Sequence, residues 1–126
     1  MVAGTFRIVR VGSVFGVPKQ SSALAAGTWV EADGTAAEQG EMAIGVIVDD
    51  TMTDNPAKMV NVYGNGSIIE DTAASYTQGT HVWLAAAGVL TQTEPAAGAG
   101  VKITLLGTAL STTQIFIAIS VYQDQA

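Results

Sequence analysis

The chain has 126 residues, with 11 acidic against 5 basic side chains and a formal net charge of −6. That length suits one domain with a real core, and the absence of cysteine excludes disulfides, thiolate nucleophiles and Cys-ligated zinc. The acidic balance argues against binding a nucleic-acid backbone, and no apolar run approaches the roughly 20 residues that span a bilayer.

The N-terminal stretch "TFRIVRV" alternates Phe6, Ile8 and Val11 with arginines. Arg7, Arg10 and Lys19 are three of the five cations in the chain. They interrupt the apolar residues instead of preceding them, so the stretch reads poorly as a secretion signal. We expect residues 1–20 to form an extended N-terminal arm or first strand, and residues 21–126 a β-rich domain. Residues 5–15 alternate enough to add as a strand to a neighbour's sheet edge.

"SSALAAGTW" reads as one short turn capped by Ser21 or Ser22 and stopped by Gly27. "GTWVEADGTA" then predicts a strand reversing at Asp33-Gly34, a strong two-residue hairpin signal. "AAEQGEMA" has helix formers broken by Gly40, and "GVIVDD" and "KMVNVYG" are brief β-branched runs. "GNGS" at 64–67 is a tight turn leading into "IIED", and "DTAASYTQG" predicts a short turn capped by Asp71. "GTHVWLAAAGVL" predicts a second hairpin, with a longer loop or bulge at Ala87-Gly88. "VKITLL" and "QIFIAISVY" close the chain as strands. No segment keeps helical spacing over ten residues. The prediction is all-β: a small barrel or sandwich with at most short helical turns.

The two hairpin stretches resemble each other. One begins at Gly27 and the other 52 residues later at Gly79; each starts Gly-Thr, has a valine three residues after the glycine, and reaches a turn glycine. In that register His81 is the counterpart of Trp29. Strand alternation puts Val82 and Leu84 on one side and His81 and Trp83 on the other. A position holding Trp in one copy and His in the other calls for a flat ring, not for proton transfer. We therefore read His81, Trp29 and Trp83 as structural or interface residues, with the tryptophans opposite the inward valines.

Other chemistries find little footing. Asp49, Asp50, Asp54 and Asn55 cluster oxygen ligands but lack the order of a calcium loop, as do Glu70 and Asp71. No second histidine accompanies His81 in a metal site. Ser-His-Asp chemistry lacks a G-x-S-x-G context, and "GAGVK" is not a phosphate-binding loop. We expect no enzyme activity, no metal and no cofactor.

Taken in order, "GTWVEADGTA", "AIGVIVDD", "KMVNVYG", "GTHVWLAAAGVL" and the closing "GTAL…QIFIAI" resemble the small capsid decoration (cement) proteins of tailed phages. Ala43 to Asp50, Val60 to Gly64, Gly79 to Leu90 and Gly107 to Ile119 supply the family's strand and hairpin elements. Where the family has Gly-Asp, this chain has Gly27-Thr28 and Gly79-Thr80. The resemblance covers residues 20 to 120. It implies a compact β domain on the outer face of a virion capsid, bound to the major capsid protein, assembled as a homotrimer, with no nucleic-acid or membrane partner. Phe6, Arg7, Ile8, Arg10, Trp29, His81 and Trp83 are the expected capsid-binding or interface residues. The alternative is a small binding module, such as a fibre base or a carbohydrate-binding domain.

Overall fold

The computed structural model describes residues 6–18, 27–48, 59–95 and 101–123. It is all-β, with ten strands in two antiparallel sheets and one turn of 3-10 helix at Ala86–Gly88. The strands are β1 (Phe6–Arg10), β2 (Val14–Pro18), β3 (Trp29–Val30), β4 (Gly45–Val46), β5 (Met59–Tyr63), β6 (Ile68–Asp71), β7 (His81–Leu84), β8 (Leu90–Thr91), β9 (Lys102–Ala109) and β10 (Gln114–Gln123). The sheets do not close into a barrel; they stack as a small sandwich.

The internal resemblance is a duplication of topology. The first sheet runs β2-β5-β4-β3, and the second runs β1-β6-β10-β9-β7-β8. In each half a leading strand (β2 or β6) pairs with the last strand of its half (β5 or β10). That strand pairs with the one before it (β4 or β9), which pairs with the first arm of a hairpin (β3 or β7). Among the described residues β1 has no counterpart, and β8 is matched only by the single bridge of Ala36 to Val30.

The two hairpins share a turn. Glu31 N donates to Thr35 O and Gly34 N to Glu31 O; Ala85 N donates to Val89 O and Gly88 N to Ala85 O. Gly34 and Gly88 both have positive φ, 85° and 76°. This is a three-residue loop, a type I turn followed by a left-handed glycine. The two-residue turn expected at Asp33-Gly34 is thus one residue longer. Asp33 contributes differently, accepting hydrogen bonds from the backbone N–H and the hydroxyl of Thr35.

The shared turn also resets the register of the duplication. Val30 bridges Ala36 as Leu84 pairs Leu90. Ala37 N donates to Trp29 O, where Thr91 faces Trp83 in the second copy. Trp29 therefore corresponds to Trp83, not to His81. The Gly-Thr landmark misleads because two more residues separate it from the turn in the second copy.

The main core lies between the sheets. Trp29 and Val46 of the first sheet meet Phe6, Ile69, Val82, Leu84, Leu106, Ile115 and Ile117 of the second. Their neighbours Val30 and Ile47 point the other way, into a smaller cluster with Val17 and Val62. β3 and β4 of the first sheet are thus buried on both faces, whereas most strands of the second alternate a buried inner side with a more exposed outer one.

Of the expected N-terminal arm or first strand, the described residues are strand. Residues 6–18 are two strands, one in each sheet, with β1 zipped antiparallel onto β6 and Phe6 in the main core. The alternation that suited a strand added to a neighbour is satisfied within the chain itself. The link between β1 and β2 crosses the β5–β6 link, and the two are stitched together. Ser13 N donates to Asn65 O, Gly64 N to Ser13 O, and Gly12 N to the buried Ser67 hydroxyl. The "GNGS" turn expected at 64–67 is this second crossover.

At Asp71 the capped turn forms: its carboxylate accepts from Ala73 N and its carbonyl from Ala74 N. The turn expected at Ser21–Ser22 lies outside the described residues.

Candidate functional site

Strand pairing aligns side chains across the outer face of the second sheet. Arg10 lies opposite Ile68, Ile68 opposite Phe116, Phe116 opposite Thr108, and Thr108 opposite His81. Directly opposed residues share a face, so this row runs from β1 to β7. A second row joins Arg7, Glu70 and Gln114. A third joins Thr91, Trp83, Leu105 and Ser120.

Of the residues singled out in the sequence, Arg7, Arg10, His81 and Trp83 come together on this face. Phe6, Ile8 and Trp29 do not. Phe6 lies in the main core, Ile8 packs against it, and Trp29 is 2% exposed. Phe6 and Ile8 alternate with Arg7, so when the arginine faces solvent they turn inward. Trp29 is buried because it faces the second sheet across the main core, and its indole Nε1 has no hydrogen-bond partner among the described residues.

At the β1 end, Arg7 Nε donates to Glu70 Oε1 at 2.6 Å. Glu70 also accepts from the Thr113 hydroxyl and Gln114. The hydrogen bond from Arg7 is the largest cause holding the Glu70 carboxyl below its ordinary pKa; partial burial opposes it. Arg10 has no carboxylate partner among the described residues. Among the described residues, four of the eight exposed large apolar side chains belong to this segment: Val9 (43%), Val11 (56%), Val14 (43%) and Phe15 (43%). They wrap the corner where β1 passes into β2. A β-bulge between Ile8 and Arg10 pushes Val9 out of the ladder.

The β7 end is built differently. His81 Nδ1 lies 3.0 Å from the Thr108 hydroxyl, and its ring stands at 84° to the Trp83 indole, with centroids 5.7 Å apart. Trp83 Nε1 donates to the Tyr122 hydroxyl at 2.8 Å, and Tyr122 in turn donates to Glu94. Beneath them lies Ile103, opposite Tyr122 and 1% exposed although it belongs to the outer face.

A hydroxyl beside an imidazole is the first half of an activated nucleophile. Among the described residues, however, no carboxylate bonds the other His81 nitrogen. Glu70 and Asp71 are neighbours on a strand and point to opposite faces, so they do not share a ligand. No group of three or more potential metal ligands occurs among the described residues. The candidate calcium ligands Asp49, Asp50, Asp54 and Asn55 lie outside them.

Sequence reasoning missed Phe116, Thr108, Tyr122 and Glu94. For Phe116 and Tyr122 a signal exists: they share parity in "QIFIAISVYQ", which puts both on one side of β10. Glu94 has none, because its contact with Tyr122 spans 28 residues.

No helix is long and apolar enough to cross a membrane among the described residues. Compared with protein-family models, curated proteins and solved structures, the chain matches none of them.

Proposed function

We propose that this chain is a structural protein of a tailed-phage particle. It binds the outer surface of the capsid as a homotrimer and stabilises the shell by bridging copies of the major capsid protein. The observation that carries this reading is the β1–β2 corner. Val9, Val11, Val14 and Phe15 are exposed along the segment that carries Arg10, which has no carboxylate partner among the described residues. Large apolar side chains exposed along one short segment suit an interaction site, and a cation in that segment favours a partner surface with acidic groups. The order of strand and hairpin elements, which resembles the decoration proteins, supplies the identity of the partner and the trimer.

The mechanism is burial of modest apolar areas at several points at once. Each contact is weak, and a trimer multiplies them by raising the effective concentration of the second and third. Because β1 is used within its own sheet, the corner docks as a rigid edge, and the protein does not lend a strand to its neighbour.

The test is co-sedimentation with undecorated shells of the cognate major capsid protein. Phe15→Asp and Arg10→Glu weaken saturation of the shells while leaving the isolated protein folded. Wild-type binding by both variants would end this reading.

A further inference from the structure

At the opposite edge of the second sheet, about four strand spacings or ~19 Å from β1, Trp83, Tyr122, His81 and Glu94 form a cluster that the capsid reading does not use. Trp83 stands on β7 and Tyr122 on β10, with β9 between them. Their backbones are therefore about 10 Å apart. For Nε1 of one to reach the hydroxyl of the other at 2.8 Å, both side chains must lean across β9. The burial of Ile103 agrees with this: it lies on the outer face, belongs to neither core cluster, and is 1% exposed. Indole and phenol thus roof a strand, and the Trp83–Tyr122–Glu94 chain of hydrogen bonds fixes them in place. The His81 ring, perpendicular to the indole and exposed, supplies a wall beside this floor.

We infer that this platform binds a neutral pyranose ring of a glycan. A flat aromatic floor offers its electron-rich face to the apolar C–H face of a sugar, and rim groups then pair with the hydroxyls. The rim here holds the exposed Glu94 carboxylate, the exposed imidazole of His81 and the Thr91 hydroxyl, which shares the face of Trp83. A carboxylate accepts from hydroxyl donors and repels anions, and the chain as a whole carries −6. Charge therefore selects neutral sugars over sialic or uronic acids. A floor already held by hydrogen bonds loses little side-chain freedom on binding. On a particle anchored through the β1–β2 corner, the platform lies at the far edge of the sheet, open to glycans of another surface.

The experiment uses the isolated full-length chain, so its outcome is independent of capsid binding. Methyl β-D-glucopyranoside, methyl β-D-galactopyranoside and N-acetylglucosamine are titrated as neutral probes and N-acetylneuraminic acid as the anionic one. Tryptophan emission and saturation-transfer NMR report binding, with buried Trp29 a constant background. At least one neutral probe binds saturably, and the anionic one more weakly. Trp83→Ala weakens that binding roughly tenfold or more, the loss expected when a stacking floor and its hydrogen bond are removed. Glu94→Gln, on the exposed rim and safe for folding, weakens it severalfold. No saturable binding of any neutral probe, a preference for the anionic probe, or unchanged binding by Glu94→Gln and a folded Trp83→Ala each overturn the proposal.

Discussion

Trp29 and Trp83 occupy the same position of the same hairpin, yet Trp29 is sealed between the sheets and Trp83 lies on the open face. Identical local backbone does not decide which side of a strand meets the core. That is decided by what each sheet packs against. The half-buried Trp83 is accessible to acrylamide and Trp29 is not. Steady-state quenching therefore resolves two populations, and Trp83→Phe leaves only the shielded, blue-emitting one. A single accessible population in that variant would contradict the burial of Trp29.

The indole N–H of Trp29, without a partner among the described residues, makes a second prediction. A buried donor without a partner costs about 1–3 kcal/mol. Trp29→Phe removes that donor while keeping most of the ring, so loss of volume and relief of that cost offset each other. Denaturant unfolding should place this variant within about 1 kcal/mol of wild type, against about 3–5 kcal/mol lost in Trp29→Ala. Equal losses in both variants would mean that the donor is satisfied.

Much of this was legible in the residues, and the exceptions have physical causes. In β7 the alternation of Val82 and Leu84 with His81 and Trp83 gave the inward and outward faces correctly, because the second sheet has one open side. In β3 the same reasoning failed for Trp29, because a strand buried on both faces carries no such contrast. Phe6 to Arg10 read equally well as an arm or as a strand, since an added strand and an intrinsic edge strand share one alternating pattern. The face that unites Arg10 with His81 depends on pairings between distant segments, which no local pattern encodes.

Gly12 is where the two crossovers touch. A Cβ built there lies 2.3 Å from Gly66 C and 2.5 Å from Ser67 N, both backbone atoms that a rotamer change does not move. Gly12→Ala therefore forces the crossovers apart and strains the bond from Gly12 N to Ser67. Overpacking of this kind costs about 1–3 kcal/mol. Thermal melts should show a clear loss in Gly12→Ala and little change in Gly79→Ala beyond the strain of its positive φ, since nothing lies within 4 Å of a Cβ there. The reverse order would contradict the stitched crossover.

Acid stability depends on the Arg7–Glu70 pair. The folded Glu70 pKa lies below its ordinary value of 4.5, chiefly because of the hydrogen bond from Arg7. The folded state therefore binds fewer protons than the unfolded chain near that pH. Its contribution is present above the ordinary pKa and is lost as pH falls through the lower folded one. Glu70→Gln should lower stability at neutral pH by the contribution it removes, flatten the acid limb below about pH 4.5 and converge on wild type in acid. An identical acid limb in wild type and variant would remove Glu70 from the account.

Alkaline stability should depend on Tyr76. Burial, aided by the nearby Asp71 charge, pushes its hydroxyl from 10.0 up to about 12. Between those values the unfolded chain has lost a proton that the folded chain keeps, so stability falls as pH rises through this window. Absorbance titration should show one tyrosine ionising late, and Tyr76→Phe should remove that phase.

The central claim is that the β1–β2 corner seats this chain on a capsid. Electron cryomicroscopy of undecorated cognate shells saturated with the full-length protein tests it most directly. The account predicts trimeric density on the outer surface, with Val9, Arg10, Val11, Val14 and Phe15 against the major capsid protein and Trp83 facing away from it. Shells that stay bare at saturation, or density seated through the Trp83 edge with the corner in solvent, would contradict it.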